Sequence, residues 1–121
     1  MILFIQEVIG TICITEEDGE ILYDLIHPLL KQNQRVDLDV SGDVVFASPF
    51  LNAAIGNLLA DIPAEALRQK LVFHHLEPTD HALLKRVIEN AKRIFADPEY
   101  RENIRRVILD EVGEHNYGLH V

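Results

Sequence analysis

Residues 36–56, VDLDVSGDVVFASPFLNAAIG, constrain the fold of this chain more than any other stretch. Val36, Leu38 and Val40 alternate with Asp37 and Asp39. That is the period of a half-buried strand with one apolar and one carboxylate-bearing face. Ser41-Gly42-Asp43 interrupts the alternation as a loop or bulge, and Val44-Val45-Phe46 continues the apolar path. Ser48-Pro49 then opens an apolar helix: serine is a favoured N-cap, and proline suits the first helical position, where no amide hydrogen is needed. Leu51, Ala54, Ile55, Leu58 and Leu59 give that helix its buried face. Ala53, Ala54 and Gly56 keep it slim, which suits close approach to a sheet.

The rest of the chain repeats the alternation of strand and helix. Residues 2–5 and 11–15 are short β-branched runs separated by Gly10, read as one or two strands. Thr15, followed by Glu16, Glu17 and Asp18, reads as a hydroxyl cap with acids in the first turn, where the helix dipole favours negative charge. Ile21, Leu22, Leu25, Ile26, Leu29 and Leu30 then form one expected buried stripe. Pro28 is expected to bend this helix near Asp24 or to end it early. Gln32-Asn33-Gln34 makes a turn, residues 64–69 offer a short helix, and Leu71-Val72-Phe73 reads as a strand. Thr79 is expected to cap a helix carrying Leu83, Leu84, Val87, Ile88, Ala91, Ile94 and Phe95, and a final helix follows Asp97-Pro98. The pattern is α/β with at least part of its sheet parallel.

Charge excludes several partners. The chain of 121 residues has a net charge of −9, and residues 81–121 are balanced, so the whole excess lies in residues 1–80. Such a surface repels phosphate backbones and disfavours nucleic acid. The cations Lys85, Arg86, Lys92 and Arg93 lie within helical reach of acids such as Glu89, as solvated ion-paired faces do. No apolar run approaches the ~18 residues of a membrane span, and MILFIQEV lacks the basic region of a signal peptide. A lone cysteine, Cys13 between two isoleucines, fits a buried thiol and a cytoplasmic location.

Asp39, Ser48, Pro49, Phe50, Leu51 and Gly56, supported by LLKRVIENAKRIF at residues 83–95, carry a family resemblance. A strand with Asp near its end, a loop, and a Ser-Pro step into a Gly-containing apolar helix resemble the STAS-like domain family of unknown function. That family is similar to the STAS domains of sulphate transporters and anti-sigma-factor antagonists. The resemblance covers about residues 10–95. It implies an α/β fold: a small mixed sheet with helices packed mainly on one face, plus an additional C-terminal helix. Residues 1–121 then form one domain, with a core at about 1–95, an appended helix at 97–112 and a tail at 113–121. The resemblance also implies a non-enzymatic module that binds a kinase-like ATPase or anti-sigma-type regulator. In the antagonists, a serine at the start of the second helix is phosphorylated by the partner kinase, and the phosphate abolishes binding. Aligning their Asp-Ser-Ser-Gly-Leu run on Leu51 sets the phosphoacceptor on Pro49, which has no hydroxyl, and Ser48 on its neighbour.

The candidate partner-binding or phosphoacceptor residues are therefore Ser48, Asp43, Asn52 and Asp39, on the 41–51 loop, the helix it enters and the end of the strand before it. Two other readings stay open. One is a phosphocarrier or metal-dependent enzyme using His81 or the Asp37/Asp39 pair, whose carboxylates share a strand face. His74 and His75 are adjacent, so on a regular strand they face opposite ways and do not meet one metal. The other reading is a structural subunit that forms a homodimer through its C-terminal helix. No Gly-x-Ser-x-Gly elbow, Gly-rich phosphate loop or metal-ligand spacing is present, so no catalytic residue, cofactor or metal is expected.

Overall fold

The structure, a computed structural model, describes residues 1–97. In chain order the elements are β1 (Ile2–Phe4), α1 (Ile5–Val8), β2 (Ile12–Cys13), α2 (Glu16–Lys31), β3 (Val36–Asp39), β4 (Val45–Phe46), α3 (Ser48–Ala54), a 3-10 turn (Gly56–Ala60), α4 (Ala64–Lys70), β5 (Leu71–His74) and α5 (Pro78–Ala96). The expected α/β class is present. The described strands fall into two small sheets, β1-β3-β5 and β2-β4, and every pairing is parallel rather than mixed. Parallel neighbours need crossovers, and α2 and the α3–α4 segment supply them. The additional C-terminal helix expected at 97–112 and the tail lie outside the described residues.

Helices cover one face of the larger sheet. Val36, Leu38 and Val40 point into that cover and are buried with Leu22, Ile26, Phe50, Ile55 and Leu58. The register sets Ile2 beside Asp37 and Phe4 beside Asp39, and all four lie on the other face. Ile2 and Phe4 are exposed there, so this face has no helix among the described residues.

The start of α2 agrees with the sequence: Thr15 is the N-cap, and its hydroxyl oxygen accepts from the Asp18 amide at 3.1 Å. Thr15→Ala is expected to cost about 1 kcal/mol, read as a lowered thermal midpoint. Pro28 does not end the helix early, because α2 runs on to Lys31 with Pro28 in its last turn. The missing amide is tolerated there because the helix end is fastened separately. Asn33 adopts a left-handed φ of 63°. The Asn33 and Gln34 amides donate to Leu30 O and Leu29 O, both at 3.0 Å, which is a Schellman ending.

Two expectations about burial are corrected. The buried stripe of α2 is Gly19, Leu22, Ile26 and Leu30, while Ile21 and Leu25 are exposed. The covered stripe is narrow, and Ile21 and Leu25, about 100° to one side of it, are left exposed. The helix after Ser48 is also not continuous: α3 ends at Ala54, and Gly56–Ala60 is a 3-10 turn. Its small residues serve an approach to α2 rather than to the sheet. A Cβ built on Gly19 would stand 2.5 Å from Phe50 O and 2.8 Å from Ala53 Cβ.

Candidate functional site

Parallel strands bring their carboxyl ends to one edge, and in open α/β sheets ligands bind outside that edge. Here β1 runs into α1, β3 into the loop of Ser41, Gly42 and Asp43, and β5 into His75. Gly42 has a φ of +94°, which favours glycine, and a Cβ there would stand 2.5 Å from Gln6 Oε1 of α1. Asp39 closes an Asx turn: its Oδ1 accepts from the Ser41 amide at 2.9 Å and lies 3.2 Å from His75 Nδ1. One strand position earlier on the same face, Asp37 pairs with Arg35 Nε at 2.9 Å and stands 3.5 Å from His74 Nε2.

This row is electrostatically settled. Hydrogen bonding from Ser41, aided by His75, holds the Asp39 carboxyl below its ordinary value. Bonding from Arg35, then from His74, does the same for Asp37. Only 15% of each aspartate side chain is exposed, although both lie on the open face, because neighbouring side chains rather than depth cover them. A carboxylate whose folded pKa is depressed contributes stability that is fully present above the unfolded value and lost as pH falls through the folded one. Asp39→Asn is therefore expected to flatten the acid limb of the stability profile below about pH 4 while leaving its shape above pH 6 unchanged. Urea midpoints measured across that range check it.

His74 and His75 do not diverge as a regular strand would require. His75 has a φ of 67°, which turns the chain so that both rings reach carboxylates of the open face. His81 is exposed in the first turns of α5 and is not brought to Asp37 or Asp39. Thr79 does not cap that helix: Glu77 holds the cap position and Pro78 opens the helix. Among the described residues, no three His, Cys, Asp or Glu side chains converge as a metal site would need.

Ser48 is exposed but is not the N-cap. Ala47, with φ −130° and ψ 158°, is the last extended residue, and its carbonyl already accepts from the Leu51 amide at 3.2 Å. The Ser48 hydroxyl thus stands one residue too late to cap, and Pro49 occupies the second helical position. Proline is tolerated throughout the first turn, so a Ser-Pro pair alone leaves a one-residue freedom in where a helix starts. Asp43 is exposed on the loop, and Asn52 on α3 lines a small cavity of about 200 Å3 with Gly56, Asn57, Asn90 and Arg93. Among the described residues, none of Asp39, Asp43, Ser48 and Asn52 hydrogen-bonds to another of the four.

What flanks Ser48 is the β2–β4 ladder. Ile12 stands opposite Val45, and Ile14 follows on the same face. These three are 58%, 50% and 42% exposed, whereas Cys13 between them is fully buried and Phe46 packs inward on Phe50 at 5.9 Å. Burial, and secondarily the charge of Asp18, push the Cys13 thiol up to about 11, which makes it a poor nucleophile. A second ionic feature has no counterpart in the sequence reading. His27 Nε2 lies 3.0 and 2.9 Å from the two Asp61 oxygens, with the Tyr23 ring stacked at 4.8 Å and Lys31 Nζ at 3.6 Å. The spacing of Tyr23, His27 and Lys31 on one helix face was visible, but Asp61 comes from a distant segment.

Residues 18–81, from α2 to the first turns of α5, match the family model of the STAS-like domain of unknown function (DUF4325). The chain belongs to this family. No curated protein and no solved structure gives a match. The matched span of the STAS-like domain includes β3, the Ser41–Gly42–Asp43 loop, α3 and β5, and leaves out β1, α1 and β2. Among its described residues, no helix is long and apolar enough to cross a membrane.

Proposed function

We propose that this STAS-like domain is a non-enzymatic regulatory module that docks a protein partner on the outer face of the β2–β4 ladder and the first turn of α3. The observation that carries the reading is the exposed apolar run Ile12, Ile14 and Val45, contributed by two strands and bordered by Asp43, Ser48 and Pro49. Contiguous apolar surface rimmed by polar groups is how protein interaction sites present themselves. The family resemblance makes a kinase-like ATPase or an anti-sigma-type regulator the proposed partner, and the cytoplasm the proposed compartment. Ser48 is the proposed switch. A phosphate there would add nearly two negative charges beside the apolar face, desolvating badly against a docked surface.

The test separates docking from folding. The tagged chain is used to retain proteins from its host, and quantitative mass spectrometry compares it with Val45→Asp and Ser48→Asp. A partner retained by the parent and depleted at least about tenfold by both variants supports the reading. Equal retention by all three chains removes this face from the account. Ser48→Asp is expected to leave the fold intact and to raise stability by about 0.3–1 kcal/mol, because α3 has no acid in its first turn. A lowered thermal midpoint for that variant would show that Ser48 is not the free surface residue described.

A further inference from the structure

A groove of about 640 Å3 lies between α4, β5 and α5, and none of its residues belongs to the proposed docking face. Its walls are apolar: Leu59, Leu67, Phe73, Leu84 and Ile88. Its polar lining is cationic or imidazole: Arg68, late in α4, and Lys92, late in α5, line it together with His75, which follows β5, and His81, in the first turns of α5. The chain has 20 acidic residues against 11 Lys and Arg, yet among the described residues no Asp or Glu lines this groove. Glu65 and Glu89 stand outside it as partners of Arg68 at 3.6 Å and Lys92 at 3.7 Å. Such solvated i,i+3 pairs contribute little and leave their cations available.

The backbone adds a donor. The Val40 amide donates to His74 O at 3.0 Å, and His74 stands opposite Asp39. His74 and Val72 therefore bond toward β3, and Leu71 and Phe73 face the other way, where the Leu71 N–H is already taken by Leu67 O. β5 is an edge of the three-stranded sheet, so the N–H and C=O of Phe73 open to the side. The groove follows this edge, since it touches the consecutive residues Leu71, Val72 and Phe73 rather than alternate ones.

We propose that this groove binds an elongated apolar carboxylic acid as a free small molecule. Its tail lies between Leu67, Phe73, Leu84 and Ile88, and its carboxylate is held by Arg68 and Lys92. The volume falls within the range of roughly 300–1,000 Å3 for small-molecule sites. The stretch of α5 from His81 to Lys92 spans about 16 Å, long enough for a medium acyl chain laid along it. A second copy of the chain is a poor occupant, because the described lining of the groove holds Arg68, Lys92, His75 and His81 and offers a copy's cations no carboxylate to meet.

Two-dimensional amide NMR of the full chain, titrated with sodium octanoate, octanol and octylammonium, tests the proposal. Octanoate is expected to shift the amides of residues 71–73 and 84–88 and to bind at least about tenfold tighter than octylammonium. Arg68→Glu combined with Lys92→Glu changes two solvent-exposed or half-exposed side chains and is expected to reverse that order, with octanol unaffected. A merely structural role for these cations would weaken all three ligands together. The proposal is overturned by shifts confined to other residues, by equal affinity for the three ligands, or by an octanoate preference that survives the double reversal. Tighter binding of a leucine-rich peptide with a free carboxyl terminus at the same amides would also overturn it, by assigning the groove to a protein tail.

Discussion

Phe50→Ala is expected to lower the free energy of unfolding by about 3–5 kcal/mol. Phe50 is the largest fully buried side chain among the described residues. It sits in the first turn of α3, against Phe46 on β4 at a ring separation of 5.9 Å. Truncation removes the transfer energy of a whole ring and leaves a cavity that neighbours cannot collapse into, because α3 already touches α2 at Gly19. Domains of this kind are stable by about 5–15 kcal/mol, so the loss is a large part of the whole. Urea unfolding followed by circular dichroism gives the value. A loss under about 1 kcal/mol with an unchanged slope would mean that α3 does not pack as described.

Gly19→Ala is the second large effect, and its sign discriminates between two forces. In a helix interior alanine is favoured over glycine by about 1 kcal/mol, so propensity alone predicts a gain. Packing predicts a loss. The new Cβ would stand 2.5 Å from Phe50 O and 3.2 Å from Ala54 N, and both are backbone atoms of α3 that no rotamer change can move. Forcing the helices apart costs about 1–3 kcal/mol beyond the propensity gain. The expected net result is destabilisation by urea titration, with the thermal midpoint lowered in parallel. A stabilised variant would place α2 and α3 further apart than they are described.

The same interface explains why parts of the fold were legible and others were not. Thr15 with three following acids predicted the start of α2, because a cap is made within four residues of chain and needs no partner from elsewhere. The alternation of Val36 to Val40 predicted β3 and its two faces for the same reason. The slim residues of α3 announced a close approach, expected to be to the sheet, and the answer was Gly19 of a helix instead. Ile21 and Leu25 have helical spacing equal to that of their buried neighbours, and only the position of α3 leaves them outside.

At the candidate site the division is similar. Asp37 and Asp39 on one strand face followed from a period of two. Their partners did not, because the reach of His74 and His75 depends on a left-handed residue that no local pattern required. Ser48 was placed next to α3 by its Ser-Pro step, yet its rank as first helical residue instead of cap depends on where the Ala47 carbonyl finds its donor. Ile12 and Ile14 were legible as flanking a buried Cys13, but their own exposure was not, since it depends on what else reaches their face of the ladder.

By itself the sequence determined the α/β alternation, the strand faces, the α2 cap and the family of the chain, all of which rest on contacts a few residues apart. The tertiary structure alone decided which apolar residues are covered, how α2 and α3 meet, and which cations share a groove. Periodicity specifies that a residue lies on a face, whereas burial is a property of whatever else arrives at that face.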